Sequence, residues 1–170
     1  GAPNQLLLND GNGGFVEATD SAIAVGNVDT YSVALGDVDN DGDLDVIVGG
    51  CDSPQPGMKA PKKLLLNEGT GSFAEVTTDN AIAIGNANTQ SIALGDVDND
   101  GDLDVVVGNE GAPNQLLLND GNGAFAEVTD SAIAVGSADT GSIALGDVDN
   151  DGDLDVVVGN SYSYASQLLL

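Results

Sequence analysis

Short strand-like patterns of apolar and polar residues run along the chain, and no stretch has the spacing of an amphipathic helix. The first pattern, Tyr31 to Val38, alternates large residues such as Val33 and Leu35 with small ones, and a small face lets another sheet approach closely. The second, Leu44 to Val48, carries three consecutive β-branched apolar residues, which predicts burial on both faces. An acidic loop separates these two strands and turns the chain.

Two further strands complete each unit. The third contains three consecutive leucines and recurs at residues 6–8, 64–66, 116–118 and 168–170. The fourth follows a turn rich in asparagine, acidic residues and glycine, and it contains Phe15, Phe73 or Phe125. A looser stretch, Ala22 to Val25 and its equivalents, leads to the next unit. With 24 glycines and few aromatic residues, the chain predicts an all-β meander whose leucines and phenylalanines form the core.

The same order of patterns recurs with a period of about fifty residues. The acidic loop begins at Asp37, Asp96 and Asp147, which lie 59 and then 51 residues apart, and an insertion at residues 50–63 accounts for most of the difference. We therefore expect one repeat array over residues 1–170. Its units are residues 1–30 (partial), 31–89, 90–140 and 141–170 (partial).

The acidic loop has nine residues and occurs three times without change, as Asp-Val-Asp-Asn-Asp-Gly-Asp-Leu-Asp. Carboxylates stand at positions 1, 3, 5, 7 and 9, and glycine stands at position 6, where a loop that folds back around an ion needs freedom from Cβ strain. Five carboxylates repel one another, so a hard divalent cation among them favours the compact loop. Calcium fits better than magnesium, because its coordination shell is larger and more flexible.

The loops therefore predict about three calcium ions, one per loop. The candidate ligands are Asp37, Asp39, Asp41, Asp43, Asp45, Asp96, Asp98, Asp100, Asp102, Asp104, Asp147, Asp149, Asp151, Asp153 and Asp155. Position 12 is Val48, Val107 or Val158 rather than the bidentate glutamate of an EF-hand, so the loops are not EF-hands. A solvated acidic turn is the alternative, and three identical copies argue against it.

Charge and composition exclude several classes of function. The chain has 28 acidic residues against three lysines, with no arginine and no histidine, for a net charge of −25. Nucleic acid and anionic membrane surfaces are poor partners for such a chain, and no apolar run is long enough to insert into a membrane. The ordinary bases and nucleophile pairs of enzymes are missing, and the acidic residues recur in loops instead of meeting in one cleft, so we expect no enzyme.

The stretch Asn119 to Phe125, followed by Ala144 to Asp155, resembles the FG-GAP/VCBS repeat. The resemblance covers essentially the whole chain. It implies four-stranded antiparallel blades of β-propeller type, as in the integrin alpha subunit, with calcium held in the loop between the first two strands. It also implies that positions 1, 3, 5 and 9 of each loop offer carboxylates and that position 7 offers its backbone carbonyl. About three repeats are fewer than the four to eight blades of a closed propeller, so we expect an incomplete ring in one chain.

The insertion at residues 50–63 holds the single cysteine, Cys51, and all three lysines. We expect it at the end of the molecule opposite the acidic loops, where Lys59, Lys62 and Lys63 would contact a partner of opposite charge. A surface loop whose lysines only aid solubility is the alternative. One cysteine allows no internal disulfide, so Cys51 is either an inert thiol or an intermolecular bridge.

Two functions remain open at this point. The first is a calcium-stabilised structural protein that associates with copies of itself into an oligomer or filament, or that forms part of an adhesive array. The second is a module that binds a carbohydrate or a protein. Near-identity between units favours the first, because repeated surfaces give repeated contacts. The millimolar calcium outside cells suits such loops, so we expect an extracellular or cell-surface protein.

Overall fold

A computed structural model describes residues 3–18, 22–24, 28–52, 62–69, 71–77, 80–82, 87–134, 139–161 and 165–170. The described residues form β-strands joined by tight turns, with two single-turn 3₁₀ helices at Ala22–Ala24 and Ala132–Ala134. Neither helix has the length needed to span a membrane, and no other described segment is helical.

The described part of the chain contains thirteen strands. They are β1 (Leu7–Asn9), β2 (Phe15–Glu17), β3 (Val28–Gly36), β4 (Asp45–Asp52), β5 (Lys63–Asn67), β6 (Phe73–Glu75), β7 (Asn88–Gly95), β8 (Asp104–Glu110), β9 (Gln115–Asn119), β10 (Phe125–Glu127), β11 (Thr140–Gly146), β12 (Asp155–Asn160) and β13 (Gln167–Leu169).

Within each sheet, consecutive strands pair antiparallel, so each sheet is a meander. Strands β3 to β6 form a four-stranded sheet, the first blade, and β7 to β10 form an equivalent second blade. Strands β11 to β13 form a three-stranded third blade, and β1 with β2 forms an amino-terminal hairpin. The expected fold class, all-β with tandem antiparallel blades, is confirmed.

The two valine-rich strands are buried on both faces, as their uninterrupted apolar pattern predicts. Val46 to Val48 and Val105 to Val107 are almost inaccessible to solvent. In β12, by contrast, Val158 is buried and Val157 is exposed. The difference follows from position in the fold, because the described structure places a sheet against only one side of the third blade.

Two apolar layers hold the three blades together. The first lies between the first and second blades and contains Ile47 and Leu64 on one side and Val105 and Phe125 on the other. The second lies between the second and third blades, where Val106 meets Ile143 and Val158. Burial of these side chains is the main favourable term in the folding of a glycine-rich, helix-poor chain.

Glycine brings neighbouring blades close together. A Cβ atom on Gly36 would lie 2.8 Å from the Cδ1 atoms of Leu94 and Leu103 in the second blade. A Cβ on Gly95 would lie 2.8 Å from Leu154 Cδ1 and 2.9 Å from Leu145 Cδ1 in the third. The expectation that the small face of the first strand admits another sheet is therefore confirmed.

Candidate metal-binding loops

Each acidic loop connects the first and second strands of a blade. The three loops follow β3, β7 and β11, and each ends where the next strand begins at its ninth residue, Asp45, Asp104 or Asp155. This is the place in the blade that the repeat resemblance implies. Neighbouring loops are close enough to form hydrogen bonds, so they lie together at one end of the blades.

Two residues in each loop adopt positive φ, and they give the loop its shape. The glycine at position 6 has φ of 95° at Gly42, and its equivalents have nearly the same value. The asparagine at position 4 also adopts positive φ, with 59° at Asn40, 61° at Asn99 and 65° at Asn150. Asparagine tolerates this region better than most residues, because its short polar side chain bonds locally.

The first aspartate of each loop holds the turn closed. In the first loop, the Asp41 N–H donates to Asp37 Oδ1 at 3.1 Å, and the Gly42 N–H donates to Asp37 Oδ2 at 3.0 Å. Asp96 and Asp147 accept the equivalent pairs of bonds in the other two loops. One carboxylate thus fixes the backbone while its remaining lone pairs stay available.

The ninth aspartate anchors each loop to the sheet. Asp45 is buried, and its two oxygens accept from the N–H of Val38 at 2.9 Å and of Asn67 at 2.8 Å. Asp104 accepts matching bonds from Val97 and Asn119, both at 2.9 Å. Burial raises the pKa of both carboxyls, and the two backbone N–H donors partly offset it.

Three carboxylates converge in each acidic loop. Ligand atoms within 4.8 Å of one another come from Asp37, Asp39 and Asp41 in the first loop. The corresponding groups are Asp96, Asp98 and Asp104 in the second loop, and Asp147, Asp149 and Asp155 in the third. Positions 1 and 3 belong to every group, and position 5 or 9 completes it.

The seventh aspartate stands apart from these groups in all three loops. Asp102 Oδ1 accepts a bond from Asn40 Nδ2 at 2.8 Å, and Asp153 Oδ1 accepts one from Asn99 Nδ2 at 2.7 Å. The side chains of all three position 7 aspartates, Asp43, Asp102 and Asp153, were expected among the ligands. The hydrogen bonds to Asp102 and Asp153 instead direct those two side chains toward the preceding loop. A contribution through the backbone carbonyl at position 7 remains compatible with this arrangement.

The first loop passes a test of fit for a cation. Asp39 Oδ1 is buried and has no hydrogen-bond donor among the described residues. Desolvation, followed by the neighbouring charge of Asp41, raises the pKa of Asp39. Partial desolvation and Asp151 raise the pKa of Asp149 at the same position of the third loop. A carboxylate oxygen with no donor and with acidic neighbours is costly unless a cation satisfies it, so the donor set fits a hard divalent ion.

The structure corrects the expectation for one of the three lysines, Lys62. Lys62 is 1% exposed, and its Nζ donates to Gln115 Oε1 in the second blade at 2.8 Å, so it holds two blades together and is not presented to a partner. Lys63 forms a 2.9 Å ion pair with Glu75 in its own blade. Lys59 lies outside the described residues, as do residues 53–61 of the insertion and the side chain of Cys51.

Sequence reasoning missed the asparagine at position 4 of each loop and the serine within the first strand of each blade. Asn40 and Asn99 connect successive loops, and Ser32 and Ser91 connect successive blades. Their signal was present, since both residue types recur at fixed offsets in each unit. Neither type points to a role when it is considered in one unit alone.

Three stretches of the chain, residues 1–48, 59–107 and 96–158, match the sequence profile of the FG-GAP-like repeat. The chain belongs to the FG-GAP-like repeat family. The matches cover well over half of the chain and include all three acidic loops. FG-GAP repeats are generally non-catalytic, often bind Ca²⁺ and typically occur in extracellular proteins. A search of curated protein sequences gives no match.

Proposed function

We propose that this FG-GAP-like repeat protein is a non-enzymatic, extracellular calcium-binding protein with a structural role, which associates with copies of itself into an oligomer or filament or forms part of an adhesive array. The observation that carries the proposal is the convergence of carboxylates in three equivalent loops, together with the buried Asp39 oxygen, which no donor of the described residues reaches. Bound calcium would satisfy these oxygens and offset their mutual repulsion.

Positions 1, 3, 5 and 9 of each loop supply the carboxylates in this proposal. Their backbone hydrogen bonds keep the oxygens near one another before an ion arrives, which reduces the ordering that binding requires. Because the unfolded chain has no such arrangement, calcium would bind the folded state and raise the free energy of unfolding. An acidic array of this kind is stable where calcium is millimolar, as it is outside cells.

Calcium titration by calorimetry, with thermal unfolding in calcium and in chelator, tests the proposal. We expect uptake of about three ions per chain and a lower melting temperature in chelator. A chain with Asp39→Asn, Asp98→Asn and Asp149→Asn should lose most of this uptake. Asp130→Asn, in an exposed turn outside the loops, removes a charge without touching a loop and serves as the control. No uptake by the unaltered chain at millimolar calcium would overturn the metal role.

A ligand-binding module is the second candidate, and a polar cavity of about 310 Å³ favours it. Tyr31, Gln90 and Ser161 are among its lining residues, and they come from the first, second and third blades at the end opposite the acidic loops. Several polar groups there already bond to each other, such as Gln90 Nε2 to Glu110 Oε2 at 2.9 Å. This pairing leaves fewer groups for a ligand and favours the structural role.

Binding of oligosaccharides and peptides to the immobilised chain, with Gln90→Ala as the comparison, distinguishes the two candidates. We expect no saturable binding that depends on Gln90. A specific ligand lost in this variant would favour the second candidate.

A further inference from the structure

The interface between the first and second blades and the interface between the second and third blades contain equivalent contacts. Ser32 Oγ in the first blade accepts from the Ile92 N–H in the second at 3.0 Å. Ser91 Oγ in the second blade accepts from the Ile143 N–H in the third at the same distance. The serine of one blade thus binds the backbone of the next in a fixed direction along the chain.

The acidic loops repeat this direction. Asn40 of the first loop donates to Asp102 of the second, and Asn99 of the second donates to Asp153 of the third. Each loop therefore offers an amide to the following loop and a position 7 carboxylate to the preceding one.

Small residues complete the interface. The space beside Gly36 and Gly95 is filled by leucines of the following blade. A Cβ on Gly49 would lie 2.9 Å from Ile92 Cδ1, and a Cβ on Gly108 would lie 3.1 Å from Ile143 Cδ1. Each blade presents glycines on the face toward the following blade and larger apolar residues on the opposite face.

The outer face of the third blade carries the same presenting set, and none of the described residues packs on it. Gly146 is the equivalent of Gly36 and Gly95, and apart from its chain neighbours no described residue has a heavy atom within 4 Å of a Cβ built on it. The side chains of Ser142 and Asn150 have no hydrogen-bond partner among the described residues. Val157 is 41% exposed, although its equivalents Ile47 and Val106 are buried. This surface, defined by Ser142, Gly146, Asn150 and Val157, is the presenting face.

The outer face of the first blade carries the receiving set. Val33 and Leu35 are 56% and 61% exposed, and Leu44 is similarly exposed. Their equivalents in the second blade, Ile92, Leu94 and Leu103, pack against the first blade. Asp43 stands at the position where Asp102 and Asp153 accept an asparagine amide. This surface, defined by Val33, Leu35, Asp43 and Leu44, is the receiving face.

We propose that the presenting face of one copy of the chain docks on the receiving face of a second copy and repeats the serine, asparagine and glycine contacts already built twice within the chain. In the joined blade, β1 of the second copy would take the place of β13, because both strands carry the same leucine run. The inference rests on the self-association proposed above and names its surfaces. Asn150 would donate to Asp43 of the second copy, and Leu35 and Leu44 of that copy would fill the space beside Gly146. The two faces differ, so the contact is heterologous and continues into a ring or a filament according to its rotation.

Sedimentation of Val157→Asp and Val33→Asp tests this inference, with Ala124→Asp as the matched control. Each variant adds one negative charge. Val157 and Val33 lie in the two faces, whereas Ala124 lies in an exposed turn between β9 and β10. An unpaired charge buried in a contact is costly, so we expect each face variant to associate at least about tenfold more weakly than the unaltered chain. The control should associate as the unaltered chain does. An unaltered chain that stays at its single-chain mass of 16.9 kDa, or face variants that associate normally, would overturn the inference.

Disulfide crosslinking identifies the faces even if a charged variant folds poorly. In a Cys51→Ser background, chains with Asn150→Cys are mixed with chains with Asp43→Cys. We expect a covalent dimer in the mixture and little in either variant alone, because the contact joins unlike faces. The pair Asn40→Cys and Asp102→Cys within one chain is the positive control for the geometry. Equal crosslinking of each variant with itself would contradict a heterologous contact.

Calcium uptake by the two face variants separates this inference from the proposed metal role. Neither Val33 nor Val157 belongs to a loop, so uptake should match that of the unaltered chain. If the face variants take up calcium normally and associate as the unaltered chain does, the proposed interface is wrong and the metal role is unaffected. If the face variants lose association and no chain takes up calcium, the metal role is wrong and the interface is supported.

Discussion

The side-chain amide of Asn40 donates a hydrogen bond to the carboxylate of Asp102, 2.8 Å away in the next acidic loop. Asn40 Nδ2 also lies 3.2 Å from the carbonyl oxygen of Gly121, so one amide connects the first loop to two segments of the second blade. The carboxylate that receives it is drawn away from the aspartates of its own loop. Side-chain hydrogen bonds thus join adjacent loops without a bound ion.

Asn40→Gly is expected to destabilise the folded chain by about 1–2 kcal/mol, because the Asp102 carboxylate loses its donor while glycine still accepts the positive φ. Asn150→Gly is the matched control, since its amide has no partner in the same chain among the described residues. Both are compared by urea unfolding in the Val157→Asp background, which removes the contribution of a second copy. Equal losses would show that the inter-loop bond contributes nothing.

Gly36→Ala should cost about 1–3 kcal/mol, because the new methyl group would overlap leucines of the second blade. Gly146→Ala at the equivalent position has open space and should lie within about 0.5 kcal/mol of the unaltered single chain. Unfolding free energies of the two variants, again in the Val157→Asp background, provide the comparison. If Gly36→Ala left the unfolding free energy unchanged, the first and second blades would be able to move apart at little cost.

Leu117 and Leu7 occupy the same position in the unit and pair with equivalent glutamates, Glu127 and Glu17. Leu117 is fully buried, whereas Leu7 is 50% exposed. Leu117→Ala should therefore cost about 2–5 kcal/mol, and Leu7→Ala should cost clearly less. Chemical denaturation of both variants measures the difference. Similar losses would show that the amino-terminal hairpin is packed as tightly as the second blade.

Burial lowers the pKa of Lys62 from 10.5 to about 8, and the negative charge of Glu127 partly opposes the shift. Below pH 8 the lysine is charged in both the folded and the unfolded chain, and burial of this charge destabilises the folded chain. Between about pH 8 and 10.5 the unfolded chain keeps the proton that the folded chain has lost, so stability rises with pH, by at most about 3 kcal/mol.

Lys62→Met keeps most of the apolar stem and removes the titrating group, so it isolates this contribution. Between pH 7.5 and 10, we expect the unfolding free energy of the unaltered chain to rise relative to that of Lys62→Met. Urea titrations of both chains at each pH give the difference. An unchanged pH dependence in Lys62→Met would place the lysine in water rather than between the blades.

Sequence alone predicted the strand order, the doubly buried valine runs and the loops, because these features depend on local periodicity and on residue types within one unit. It failed at Lys62, because a lysine in an irregular insertion of an acidic chain is expected in solvent. Its burial depends on Gln115, which lies in another blade and offers an acceptor at the right distance. Contacts between units, such as those of Asn40 and Ser32, likewise require the packing of two sheets and have no signature within either one.

The repetition of one interface between successive blades would let the chain change its length by whole units. Within the described residues, the first blade packs on the second and the second on the third, each through the same serine, asparagine and glycine positions. Removing residues 96–146 would join Gly95 to Asp147 and restore the same local sequence at the junction. A gene for such a protein can therefore lose or gain whole units by unequal recombination without inventing a new contact, and stability would change in steps of one unit.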